Sequence, residues 1–127
     1  MKSKLKKITI DKKKYLYSIA TKYEAETKRN NLTIKVFLSG QKSTPLTVSF
    51  LTSDNFLLGH PLKTGITLKN KIENAATRIN LNEPKYIRQI ILGGLESGWT
   101  GTNKIADQNG LTYLENWGFD ISVLFLE

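Results

Sequence analysis

The 127-residue chain contains no cysteine, one histidine, one methionine, three prolines and three arginines. The missing thiols exclude a disulfide framework, a zinc site built on thiolates and thiol-based catalysis, and they suit a reducing compartment. With His60 as the sole imidazole, a histidine-built metal site or a multi-histidine relay has no second member. No apolar run approaches the ~20 residues that cross a bilayer, and no apolar segment of signal-peptide type follows the N-terminal lysines. The expectation is a cytoplasmic chain with no membrane span, no metal and no cofactor. Asn31-Leu32-Thr33 matches a glycosylation acceptor, which without a secretory signal is a chance match.

What the chain does have is enough length for one domain that buries about two thirds of its unfolded surface without a staple. It also has a lopsided charge. Residues 1–30 hold ten Lys or Arg against three acids, whereas residues 31–127 hold nine against eight, so nearly all of the net +8 lies at one end.

Leu81–Trp99 is the one long stretch with clear helical periodicity. Asn82 reads as the N-cap, Glu83 as a first-turn charge that complements the helix dipole, and Pro84 as an early residue whose missing N–H costs nothing. Ile87, Ile90, Ile91 and Leu95 fall at spacings of three and four, which makes one apolar stripe, with Lys85, Arg88, Gln89 and Glu96 on other faces. Gly98 is placed to end the helix in a left-handed conformation, and Trp99 to anchor it on the core. Gly93 and Gly94 interrupt the pattern at a cost of roughly 1 kcal/mol each. Burial of four aliphatic side chains, at about 1.5–3 kcal/mol apiece, outweighs that cost and points to close approach of the helix to a sheet.

Elsewhere the period is two. Residues 1–7 form a basic lead-in. Ile8 and Ile10 alternate with polar residues, Asp11–Lys14 is a turn, and Tyr15, Tyr17, Ile19, Thr21 and Tyr23 alternate again, which predicts a hairpin. The alternation leaves open whether Tyr15 and Tyr17 or Leu16 face inward. Leu32–Leu38 and Leu46–Phe50 are the third and fourth strands. The aperiodic run Phe56–Leu62 reads as a loop or short helical turn plugging an edge of the core, Ile66 and Leu68 as a short extended piece, and Asn70–Ala76 fits strand and helix alike. Thr77–Leu81 is a strand that feeds the helix, Leu111 and Tyr113 suggest another, and Phe119, Ile121, Val123 and Phe125 form a last strand that is a candidate for the centre of the sheet. The predicted fold is a single α+β domain over 1–127: an antiparallel, twisted sheet of about six strands with the helix over about residues 82–98 packed on one face.

The run INLNEPKYIRQIILGGLESGW from Ile79 to Trp99, together with FLLGHPLKTG before it and ENWGFDI after it, resembles a small uncharacterised bacterial protein family. The resemblance implies the strand-then-helix order and brings no activity with it.

Motifs of chemistry fail on inspection. Gly93–Thr100 has the glycine spacing of a phosphate-binding loop, but Trp99 stands where the lysine belongs and the segment ends a helix where such a loop must precede one. Asp107-Gln108-Asn109-Gly110 resembles part of a calcium loop, yet Ile105 and Asn116 then occupy ligand positions, so a plain turn is the better account. The close acid pairs Glu24/Glu26 and Glu115/Asp120 have no spacing that marks an acid–base couple, and no GxSxG context supports a hydrolase.

The prediction is a small non-catalytic module that binds a protein, an accessory or immunity-like protein being one example, with Phe56, His60 and Trp117 as the partner surface. The alternative is a nucleic-acid-binding module that uses Lys4, Lys6, Lys12, Lys13 and Lys14 to neutralise phosphate, with Tyr15 and Tyr17 as stacking surfaces on the same hairpin. Against it, lysines abound throughout the chain and also protect edge strands from aggregation. An enzyme ranks third, and requires a deep pocket of convergent polar groups near His60 or after Trp99.

Overall fold

Strands form where apolar and polar residues alternate. The structure, a computed structural model, describes residues 5–24, 29–53 and 61–125. In chain order the described elements are β1 (Lys6–Ile10), β2 (Lys13–Glu24), β3 (Arg29–Leu38), β4 (Leu46–Ser53), α1 (Pro61–Thr64), β5 (Ile66–Asn70), β6 (Ala75–Ile79), α2 (Pro84–Glu96), β7 (Gln108–Asn109), α3 (Gly110–Asn116) and a 3₁₀ helix (Ser122–Phe125). The arrangement is α+β, with the main helix packed against a sheet. That sheet has the order β1-β2-β3-β4-β7, antiparallel apart from the short parallel pair β4/β7, and β5 with β6 forms a separate hairpin.

The β1–β2 hairpin closes through a two-residue turn in which Asp11 (φ 48°) and Lys12 (φ 69°) are both left-handed, the geometry that matches the twist of paired strands. Pairing then fixes the faces. Tyr15 lies opposite Leu38, Tyr17 opposite Val36 and Ile19 opposite Ile34, and Val36 and Ile34 continue to Leu46 and Val48. Most of this inner face is buried, including Tyr15 and Tyr17 at 3% exposure each, while Ile19 and Leu38 are half-buried.

Helix α2 meets both β1 and β4, which flank β2 and β3, so it runs across the inner face. Ile87, Ile90 and Ile91 are fully buried and Leu95 half-buried, as the stripe predicts. Gly94 rests on Leu46 of β4 and Gly93 on the ring of Tyr113, which accounts for both glycines by close approach. The helix ends with Trp99 N–H donating to the Gly94 carbonyl (3.0 Å) and Gly98 N–H to that of Leu95 (3.2 Å), with Gly98 at φ 108°. Trp99 is sealed in the core, its indole N–H donating to the Thr44 carbonyl at 3.0 Å.

Several expectations need correction. Glu83, not Asn82, is the N-cap, and its side chain makes no capping bond. Asn82 instead donates its side-chain amide to the Lys63 carbonyl (3.2 Å), tying the helix start to α1. Leu111 and Tyr113 lie on a helix, because the Asn109 side chain accepts from Leu111 N–H (3.0 Å) and caps a turn that brings Leu111 and Leu114 onto the core. Phe119–Phe125 is not a strand, and β3 holds the middle of the five-stranded order. Phe119 makes one isolated bridge to Asn70, after which the Asp120 carboxylate accepts from Ser122 N–H (3.0 Å) and turns the chain into the 3₁₀ helix. Within Asn70–Ala76, Asn70 ends β5, residues 71–74 form the turn, and Ala75 and Ala76 open β6. Of the aperiodic run, Phe56 and His60 lie outside the described residues, while Leu62 is fully buried.

Candidate functional site

Helix α3 ends as α2 does. Gly118 is left-handed (φ 98°) and donates to the Glu115 carbonyl (2.9 Å), and Phe119 N–H donates to that of Leu114 (3.0 Å). Segments Ser97-Gly98-Trp99 and Trp117-Gly118-Phe119 therefore share one backbone plan, and in each the aromatic after the glycine is buried. The consequence is positional. Trp117 occupies the cap residue, not the buried position two places later, and stays half-buried at the surface between α2 and α3.

Three contacts hold Trp117 there. Its ring lies nearly parallel to that of Tyr86 on α2, with centroids 6.3 Å apart and an interplanar angle of 24°. It meets Tyr113 edge-on at 6.4 Å and 69°. Its carbonyl accepts from the side-chain amide of Asn70 (3.1 Å), a residue itself only 2% exposed, whose carbonyl oxygen also receives Ile72 N–H (3.0 Å) and Glu73 N–H (2.9 Å). Lys85 stands over the outer ring of the series, its Nζ 5.0 Å from the Tyr86 centroid.

On either side of Trp117 lies a hollow. One, about 480 Å³, is bounded by Glu73, Thr77, Lys85 and Tyr86. The other, about 520 Å³, is bounded by Leu92, Gly93, Glu96, Ser97, Tyr113 and Asn116. Gln89 and Trp117 line both. The rim carries both signs of charge: Lys85 lies 3.6 Å from Glu83, but both side chains are about half exposed and the pair contributes little. Burial pushes the Tyr113 phenol up, against a smaller opposing influence of the neighbouring Ser97 hydroxyl. Among the described residues the Tyr113 hydroxyl makes no hydrogen bond. Large flat rings with amides and mixed charges around them are suited to recognition of a surface.

The remaining predicted site residues do not come together. Tyr15 and Tyr17 face the core, where burial raises their pKa, so neither offers a ring to a base. This is a correction to the stacking role expected of them, and its cause is the period-two alternation with α2 covering their face. Lys12 is in the turn, Lys6 and Lys13 share the register of Tyr17 and Ile10, and Lys14 projects from the opposite side of the sheet. Lys4, like Phe56 and His60, lies outside the described residues. The placement of Tyr86, Tyr113 and Gln89 around Trp117 is not among the sequence expectations; the signal available is the repetition of Gly-aromatic after each helix.

Among the described residues no group of three His, Cys, Asp or Glu is placed to hold a metal ion, and no helix is long and apolar enough to cross a membrane. Comparison of the chain with family models, with curated proteins and with solved structures finds no match in any of the three.

Proposed function

We propose that this chain is a non-catalytic protein-interaction module and that its partner docks over Trp117. The observation that carries this reading is a half-buried tryptophan packed between Tyr86 and Tyr113, with a hollow on each side to receive partner side chains. A buried aromatic anchor with a polar rim is the part of an interface that holds most of the binding energy. Such packing matters as well, since a side chain already ordered loses little entropy on binding. A cysteine-free chain suits the cytoplasm, where we place it.

The test is site-directed photo-crosslinking in the cells that make the protein, with the probe at Gln89 on the rim or, as a control, at Ala20 on the far side of the sheet. A protein captured from Gln89 and not from Ala20 is then purified and titrated. Trp117→Ala and Gln89→Arg should each weaken its binding, the former roughly 30-fold or more, the effect of a residue worth about 2 kcal/mol at an interface. Equal binding by the parent chain and both folded variants would rule out this surface.

A further inference from the structure

The outer face of the five-stranded sheet, turned away from α2, has a composition unlike the rest of the molecule. Its positions are set by the strand register: Thr9 and Lys14; Lys7, Leu16 and Phe37; Ser18, Lys35 and Thr47; Ala20, Thr33 and Ser49; Lys22, Asn31 and Leu51; Glu24 and Arg29. None of these residues is buried. Five are cations and one is an acid. Four of the five cations sit beside neutral cross-strand partners, and only Arg29 faces the acid, Glu24.

A lysine-rich composition by itself would spread the excess over the whole surface, and it does not. Described residues 61–125 carry seven cations and six acids, while described residues 5–24 and 29–53 carry nine and two. The imbalance therefore belongs to the part of the chain that holds β1 to β4, and the outer face carries five of its nine cations and one of its two acids.

The floor between the cations is shallow, because Ser18, Ala20, Thr33, Thr47 and Ser49 are small. At one end Phe37, on the middle strand, stands directly opposite Leu16, and both line an apolar hollow of about 370 Å³ with Leu5, Lys35 and Lys42 around it. Lys14 and Lys22 are eight residues apart on β2, so the cationic field extends about 26 Å along the strand at ~3.3 Å per residue. A basic sheet face with a half-exposed ring on its central strand offers what a flexible phosphate chain with unpaired bases requires: charge along the backbone and an apolar place for a base.

We infer that the outer face of the sheet binds single-stranded nucleic acid, with Lys7, Lys14, Lys22, Arg29 and Lys35 on phosphates and Phe37 beneath a base. This surface lies on the opposite side of the sheet from α2, so it is independent of the Trp117 site.

Fluorescence anisotropy with short labelled oligouridylate and oligothymidylate, over a salt series, tests the inference. The expected result is binding that weakens with salt, with the log–log slope reduced by about 0.7 for each phosphate contact removed in Lys22→Gln and Lys35→Gln. Phe37→Leu, which keeps an apolar side chain and preserves the fold, should weaken binding several-fold at unchanged slope, and Trp117→Ala should leave it unaltered. Absence of binding at low salt would overturn the inference. So would equal competition by polyglutamate or by anionic vesicles, which would assign the face to an acidic protein or a lipid surface. Preference for duplex over single strands would overturn it too.

Discussion

Gly94 of α2 lies against Leu46 of β4 with no space for a side chain: a β-carbon at Gly94 would stand 2.9 Å from Leu46 Cδ1 and nearer still to Cδ2. This contact sets how close the helix comes to the sheet, and thus the depth of the core beneath Ile90 and Ile91.

Gly94→Ala should accordingly destabilise the protein. Alanine gains about 1 kcal/mol of helix propensity, but overpacking at a fully buried leucine costs about 1–3 kcal/mol and forces the helix or Leu46 to shift. Urea denaturation is expected to show a lower midpoint, and a shallower Gly94→Ala, Leu46→Ala double variant should be less impaired than the sum of the two single changes. A rise in midpoint for Gly94→Ala alone would disprove the close contact.

Asn70 links the β5–β6 turn to the end of α3 through three hydrogen bonds. Asn70→Ala leaves the Ile72 and Glu73 N–H groups and the Trp117 carbonyl without this partner, and the cost should be about 2 kcal/mol. The Trp117 indole N–H resonance should broaden or shift in the same variant while that of Trp99 stays in place. An unchanged Trp117 signal would mean that the Tyr86 and Tyr113 rings hold it without Asn70.

Tyrosine burial makes the fold sensitive to alkali. Desolvation raises the pKa of Tyr15, Tyr17 and Tyr113 above the usual value of 10.0, so the folded state holds on to these protons more tightly than the unfolded chain. The stabilisation is fully present below pH 10 and is lost as the pH rises through the raised values. Spectrophotometric titration should show a late class among the five tyrosines, and Tyr15→Phe with Tyr17→Phe should reduce the alkaline loss of stability. Titration of every phenol together at the ordinary value would contradict the inward placement of these rings.

Asp120 acts at the opposite end of the pH scale. Its carboxylate accepts the Ser122 backbone N–H, the largest cause of a lowered pKa, with further help from the Ser122 hydroxyl and from Lys71 and Lys69. Because the folded value is below the usual 3.8, the stabilisation is present above that pH and is lost as the pH falls through the lowered value. An NMR titration should find the Asp120 carboxyl titrating below the usual 3.8, and Ser122→Pro, which removes the donor, should move it back up.

Periodicity was strong enough to read the sheet and the main helix directly. Strands β2 to β4 each carry three or more alternating apolar residues, β1 carries two, and α2 carries a stripe flanked by Pro84 and Gly98. Helix α3 was not legible in the same way. Leu111 and Tyr113 are two residues apart and match a strand, and only the Asn109 cap, whose effect depends on where the next N–H groups point, converts the segment into a helix. Phe119 to Phe125 likewise alternates as a strand would, but the local Asp120–Ser122 bond removes the extended conformation.

Amino-acid order alone determined the elements with a sustained period, the glycine-marked end of α2 and the concentration of charge, because these depend on neighbours within one turn or one strand. Tertiary structure decided which face of β2 is buried, and with it the inward turn of Tyr15 and Tyr17 and the outward turn of Lys14, Lys22 and Leu16. It also assembled Tyr86, Tyr113 and Trp117 from two helices and placed Asn70 beneath them. A strand makes the same hydrogen bonds to its neighbouring strands whichever side faces the core, so the arrival of α2 on one face breaks that symmetry.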